Sequence, residues 1–306
     1  MPAAPARLKS KERPLEPGLH PWLSRIWNRS YIPDWLGVLI LILQNLAILM
    51  LGSFSRLFSL DDRRISYPYT DPERVPVPQL LFYAAGVPAL IMTVYILAAA
   101  SSSSKAHKLH VALLGLMTSL LLTSFITDVV KNTVGRARPD LLSRCQAKEG
   151  TPLHELVDWT VCTQTDQHKL HEGFRSFPSG HSSFSWAGLG YLSLFLCGQL
   201  GALKRHHGLT KCVFAALPSV GATLITISRT QDYRHDVYDV CSGTLIGMLC
   251  TWFCYRRYFR PVASLLSAVP YKRDETEEDE DEDGFEKLRD VEMGRMSRAE
   301  SRERDV

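Results

Sequence analysis

Apolar residues fall into six blocks along the chain: Trp35 to Ser55, Leu80 to Ala100, Leu109 to Ile126, Ser182 to Leu200, Thr210 to Ile227 and Val237 to Cys254. Each lies near the ~20 residues that a helix needs to cross ~30 Å of hydrocarbon. The last three are short or carry polar residues, and any one of them alone reads as a buried helix of a soluble protein. Six together, separated by charged connections, predict an all-α, polytopic membrane protein. Its six-transmembrane helix bundle is expected over residues 35–260, between a basic, proline-rich arm (1–34) and a charged, disordered tail (261–306).

The connections differ in kind. "DDRRISYPYTDPERVPVPQ", Asp61 to Gln79, has too much charge and proline for a span or a helix and reads as a loop. Asp128 to Ser182 is a polar segment too long for a plain connector, which predicts a function or a small fold of its own. Asp274 to Asp283 is acidic at every position except Thr276, and the end alternates Arg with Glu and Asp, a composition that cannot bury a core. Thr276, Ser297 and Ser301 are candidate phosphorylation positions in that tail. In the arm, "HPWLSRIW" (His20 to Trp27) reads as a membrane-interface anchor.

Composition changes this picture only when it is taken block by block. The 306 residues are 45% hydrophobic and 22% charged, with a formal net charge of +3, a balance that would suit a soluble protein and that conceals the segregation. Arg7, Lys9, Lys11, Arg13, Arg25 and Arg29, with no early apolar run, argue against a cleavable signal peptide. The cations of the arm, of "KAHK" (Lys105 to Lys108), of "KRHHGLTK" (Lys204 to Lys211) and of "YRRYFR" (Tyr255 to Arg260) fit one cytosolic side. Both termini are then cytosolic, and the acceptor "NRS" at Asn28 should carry no sugar. Of seven cysteines, Cys197, Cys212, Cys241, Cys250 and Cys254 read as small apolar fillers in or beside the blocks. Cys145 and Cys162 share the longest loop and can pair if it lies in an oxidising compartment. A zinc site with His154 or His168 lacks the close Cys or His ligand pairing such sites use.

Three polar clusters sit at block ends: "KNTVGRARP" with Lys131, Arg138 and Pro139; "PSGH", Pro178 to His181; and "SRTQDYRHDVYD" with Ser228, Arg229, His235 and Asp239. The end of an odd-numbered span and the start of the next even-numbered one lie on the same side of a membrane, so all three clusters face one compartment. His107, His110, His206 and His207 fall on the other side.

Together these residues describe a phosphate cradle. Lys131, Arg138 and Arg229 supply three cations, two of them guanidinium forks that match paired phosphate oxygens. Ser179 and the amides around Gly180 add neutral donors, with no side chain at the glycine to keep an anion away. Phosphoryl transfer needs mainly positioning and positive charge. Three fixed cations supply what a magnesium ion supplies elsewhere, so no metal and no other cofactor is expected. His235 and Asp239 are four apart and share a helix face, which lets the carboxylate fix the imidazole as a nucleophile. His181 stands opposite as acid and then base, a role worth ~10² to 10⁴ in rate. An ionised Asp239 near the start of an apolar span needs a partner, and His235 is one; helix capping is the bland alternative, for which Asp236 is better placed.

Lys131 with Arg138 and Pro139, then "PSGH", then Ser228, Arg229, His235 and Asp239 resemble the three-part signature of the type 2 phosphatidic acid phosphatase superfamily. "GRARPD", "RCQAKEGTPL", "PSGHSSFSWAGLGYLSLFLCGQL" and "SRTQDYRHDVYDV" are similar to the fungal diacylglycerol pyrophosphate phosphatases, over roughly Trp35 to Arg260. The resemblance implies a six-span, magnesium-independent enzyme that hydrolyses diacylglycerol pyrophosphate, phosphatidate and related membrane phospholipids, with its site away from the cytosol and a vacuolar or other endomembrane location. It implies phosphate binding by Lys131, Arg138, Ser179, Gly180 and Arg229, and catalysis by His181, His235 and Asp239. No nucleic-acid partner is expected. A soluble vanadium haloperoxidase shares the cradle but not the spans, and a phosphosphingolipid transferase is expected to lack the complete Lys to Arg-Pro element. A non-enzymatic relative would have lost Lys131 or a histidine, and a transporter would need ionisable groups deep within its spans.

Overall fold

The computed structural model describes residues 31–99, 105–204, 207–271, 289 and 293. The anchor at His20 to Trp27, Asn28, the acidic run and the candidate phosphorylation positions all lie outside the described residues. In chain order the helices are α1 (Ile32–Met50), α2 (Val77–Ala99), α3 (Lys105–Val134), α4 (Leu141–Cys145), α5 (Gln167–Glu172), α6 (Gly180–Leu200), α7 (Leu209–Gln231) and α8 (Val237–Tyr258). The architecture is all-helical: among the described residues β-pairing is limited to isolated bridges. The segment read as loop ends three residues early, because Val77, Pro78 and Gln79 already open α2, where proline's fixed φ and missing N–H do no harm. Within α2, Phe82–Gly86 widens to a π turn.

Helices α1, α2, α3, α7 and α8 are long and apolar enough to cross a membrane. On α1 the leucines 36, 39, 43, 46 and 49 are all exposed while only Val38 and Ile48 are buried, as a helix facing lipid requires. These are the features of a polytopic membrane protein. The count by apolarity is five rather than the expected six, and the helix that falls short is α6. It has 21 residues, so its length is about 31 Å, but it buries Ser182, Ser183, Ser185, Gly188, Gly190 and Ser193. The reason is its position: α6 packs against α3, α7, α8 and the π turn of α2. Its neighbours are helices, so small residues that allow close approach replace leucines. At the closest point a Cβ on Gly188 would stand 1.7 Å from the Ala84 carbonyl oxygen in the π turn, and one on Gly243 of α8 would stand 2.4 Å from the Ser179 carbonyl oxygen, so only glycine fits at either.

The main core runs through the bundle around Met92, Ile96, Leu114, Tyr191, Phe195, Tyr255 and Phe259. The long polar segment has a small core of its own, as its length predicts. Leu141, Cys145, Leu170 and Phe174 pack with Phe58 and Ile65 from the 51–76 connection. A Cys145–Cys162 disulfide and a Phe58–Val157 backbone pairing close this cap over one end of the bundle. At the other end, residues 259–271 fold back, with Ser267 Oγ donating to the Gly198 carbonyl 2.8 Å away.

Candidate active site

Each cluster is delivered by a helix end beneath the cap. Gly135, with φ of +60°, reverses the chain after α3 and returns Arg136 and Arg138 over the bundle; a Cβ there would also lie 2.3 Å from the Phe54 carbonyl oxygen. Ser179 is the N-cap of α6, its hydroxyl oxygen accepting from Ser182 N at 3.4 Å and from Ser182 Oγ at 3.0 Å. Asp236 is the N-cap of α8 and accepts from Val237 N at 2.6 Å. Asp239 completes a capping box by accepting from Asp236 N at 3.0 Å, so Asp236 and Asp239 share the capping job that the sequence suggested for Asp236.

A cavity of about 610 Å³ opens there, lined by Lys131, Arg138, Gly180, His181, Arg229 and His235 among others. Lys131, Arg138, Arg229 and His235 are all buried. Lys131 Nζ donates to the Arg175 carbonyl at 2.9 Å, and a Cβ on Gly180 would lie 3.5 Å from Lys131 Cε. Arg138 Nη2 meets Glu172 Oε2 at 2.8 Å, and Arg229 Nη1 meets Glu73 Oε2 at 2.9 Å. The Nε of Arg138, of Arg229 and of Arg234 is buried without a hydrogen-bond partner. Such orphaned donors around one cavity are what an anion site presents before its anion arrives. Burial lowers Arg138 to about 10, which leaves it charged at neutral pH. Ser179 is fully buried as a cap, and Ser228 bonds back along its helix to Ile225 O at 2.7 Å; neither lines the cavity.

Both histidines line this cavity. His235 Nδ1 lies 3.6 Å from Asp239 Oδ2 and makes no hydrogen bond, so the pair is set but not closed. Burial first, and then the charges of Arg138, Lys131 and Arg229, hold the His235 imidazole well below its ordinary range and therefore neutral. His181 Nε2 is 2.9 Å from the Val75 carbonyl; a carbonyl only accepts, so Nε2 carries the proton. His235 is thus neutral, and burial first, then the Arg229 charge, also hold the His181 imidazole well below its ordinary range.

Several participants escaped the sequence reading. Arg136 Nη1 donates to Asp239 Oδ1 at 2.8 Å, and Ser176 Oγ donates to Asp239 Oδ2 at 2.6 Å. Glu172, Glu73 and the Val75 carbonyl come from connections read as loops. Glu73 also reaches Arg234 at 3.4 Å and His181 at 3.9 Å, while Arg74 pins its segment through Asp232, with N to Oδ2 at 2.9 Å. A signal was present: the connection between the first two spans has the same parity as the three clusters. Cys145 and Cys162, left open by the sequence, are bonded.

A helical bundle carrying two histidines, a carboxylate and three buried cations around one cavity defines a class of phosphate-handling membrane protein. Comparison with known proteins gives the family: the PAP2 superfamily matches residues 112–262. Diacylglycerol pyrophosphate phosphatase 1 of Saccharomyces cerevisiae is 41% identical, over 79% of this chain and 84% of its own. Probable diacylglycerol pyrophosphate phosphatase 1 of Schizosaccharomyces pombe is 39% identical, over 76% and 81%. Lipid phosphate phosphatase 2 of Arabidopsis thaliana is 35% identical, over 76% and 79%. The chain belongs to the PAP2 superfamily. No solved structure matches it.

Proposed function

We propose that this protein is a lipid phosphatase that hydrolyses lipid pyrophosphates and phosphomonoesters, diacylglycerol pyrophosphate to phosphatidate and phosphatidate to diacylglycerol, through a phosphohistidine. The observation that carries it is the meeting of His181, His235 and the cations Lys131, Arg138 and Arg229 on one cavity. The names of the yeast and plant relatives support the substrate class.

In the first step His235 Nε2 attacks phosphorus. The N–P bond forms, the P–O bond to the leaving group breaks, and its electron pair stays on the leaving oxygen, which takes a proton from the His181 imidazolium that forms once the negatively charged substrate is bound. Asp239 stabilises the cationic imidazole that results. In the second step water gives its proton to His181 and attacks phosphorus, and the N–P bond breaks to release phosphate. Lys131, Arg138 and Arg229 hold the equatorial oxygens throughout, and the Gly180 amide joins them at the N-terminus of α6.

In this reading α6 is a sixth crossing, sheltered by its neighbours, and both termini are cytosolic. The site then faces away from the cytosol. The Cys145–Cys162 disulfide beside it supports that side, because disulfides persist in oxidising compartments. An endomembrane such as the vacuolar membrane is the expected location. The test is phosphate release from both lipids in detergent micelles with excess chelator. Release by wild type and none by His235→Ala is expected. Retained activity in His235→Ala sinks the nucleophile, and loss on chelation that metal restores sinks the metal-free mechanism.

A further inference from the structure

The family signature accounts for one phosphate, yet the cavity is lined by more cations than one phosphate needs. Beyond the cradle its wall includes Tyr69, Arg144, Lys169 and Arg234. Three of these converge on the fourth: Lys169 Nζ lies 4.1 Å, Arg234 Cζ 4.3 Å and Arg144 Cζ 4.7 Å from the centre of the Tyr69 ring. Arg144 is neutralised by a two-pronged pair with buried Asp140, at 2.9 Å on each oxygen. Arg234 donates Nη2 to the Thr70 carbonyl at 2.8 Å, but its nearest carboxylates stand at 3.4 Å (Glu73) and 3.7 Å (Asp140), and its buried Nε has no acceptor. Lys169 forms no ion pair among the described residues and has the ring as its contact. Asp140 offsets Arg144, and the charges of Arg234 and Lys169 that it leaves over favour an anion beside them.

Glu73 shows where such an anion would sit. One carboxylate oxygen is 2.9 Å from Arg229 of the cradle and the other is 3.4 Å from Arg234 of the Tyr69 cluster. The two sites are therefore close enough for a single small anion to bridge. A pyrophosphate carries its charge on two adjacent phosphoryl groups, one for each of these two sets of cations.

Resting on the lipid phosphatase reading, we propose that Arg234 and Lys169, arranged around Tyr69, form a second anion subsite for the non-transferred phosphoryl of a lipid pyrophosphate and set a preference for pyrophosphate over monoester. The transferred phosphoryl occupies the cradle beside His235. When its P–O bond breaks, the electron pair passes to the bridging oxygen, and the departing phosphate monoester gains the charge that Arg234 and Lys169 face. A monoester leaves an alcohol in that position and gains nothing from them. Glu73 must withdraw as the substrate enters, since it occupies both anion positions.

The test compares kcat/KM on diacylglycerol pyrophosphate and on phosphatidate for the purified full chain, wild type, Lys169→Gln and Arg234→Gln. Lys169 sits on a short cap helix with no ion pair to break, so its variant keeps the test valid if Arg234→Gln fails to fold. The expected result is a loss on the pyrophosphate that exceeds the loss on phosphatidate tenfold or more. Equal losses on the two lipids, or no loss on either, overturn the subsite and leave the lipid phosphatase reading standing. If wild type hydrolyses neither lipid, that reading fails instead, and inorganic pyrophosphate decides the subsite through thermal stability. A rise in Tm for wild type that is lost in Lys169→Gln supports it; equal rises overturn it.

Discussion

Arg136→Gln removes a charge that touches no phosphate position and should nonetheless disable the enzyme. The Asp239 carboxylate is fully buried and held by Arg136 at 2.8 Å, Ser176 Oγ at 2.6 Å and Asp236 N at 3.0 Å. Among the described residues Arg136 is its only cationic partner apart from a protonated His235, and the other prong of the guanidinium holds Asp236 at 2.9 Å. Breaking a buried ion pair on one side costs ~3–5 kcal/mol. The Arg136 side chain keeps 33% of its exposure, so water screens part of this. A charge-assisted hydrogen bond is worth ~1.5–3 kcal/mol, and about 2 kcal/mol is the expected loss. If that energy serves to hold Asp239 against His235 in the transition state, kcat falls ~30-fold. KM should change little, because Lys131, Arg138 and Arg229 are untouched. Arg136→Lys can hold one carboxylate but not both and should recover part of kcat. The assay is steady-state hydrolysis with Tm measured on the same preparations. A lower Tm with wild-type kcat would reduce Arg136 to a structural role, and wild-type values of both would refute the argument.

Three further outcomes follow from the same contacts. His235 is held neutral in the folded protein while an unfolded histidine protonates near 6.5, so folded stability is full above that pH and drains as pH falls below it, by up to about 1.4 kcal/mol per pH unit; His235→Asn should flatten the slope of denaturation between pH 6.5 and 5, and an unchanged slope would contradict the shift. The Cys145–Cys162 bridge closes a 17-residue separation, so Cys145→Ser should lose about 3 kcal/mol and make wild type but not the variant sensitive to reductant in a thermal melt. Gly243→Ala drives a methyl to 2.4 Å from Ser179 O and should destabilise by ~1–3 kcal/mol with loss of activity, whereas Gly37→Ala, with nothing within 4 Å, should behave as wild type in both assays.

The bundle and the motif residues were legible in the sequence because each rests on local signals. Apolar runs set the helices, and the order of Lys131 to Arg138, "PSGH" and Arg229 to Asp239 set the site. Helix α6 was expected as a span only from its company, and it does not reach the apolarity of one: hydropathy reads a lipid-facing surface, and Ser182, Ser185 and Gly188 are buried in the bundle. Glu73, Arg136, Ser176 and Glu172 were hidden for a different reason. Their roles come from chain reversals such as the turn at Gly135 and from a cap whose two halves are distant in sequence, as the Phe58–Val157 pairing shows. Loop composition says that such segments are polar, and the fold decides what they touch. Ser179 illustrates the converse: its residue type suits a phosphate donor, while its place as N-cap turns the oxygen into the helix.

The central claim is that His235 takes the phosphoryl group, and the direct measurement is rapid quenching of the enzyme with diacylglycerol pyrophosphate labelled in its terminal phosphate. The account predicts label on the protein within one turnover, stable to base and released by acid, located on His235 and absent from His235→Ala. Phosphate release by the wild type with no labelled protein at any quench time, or label on another residue, would contradict it.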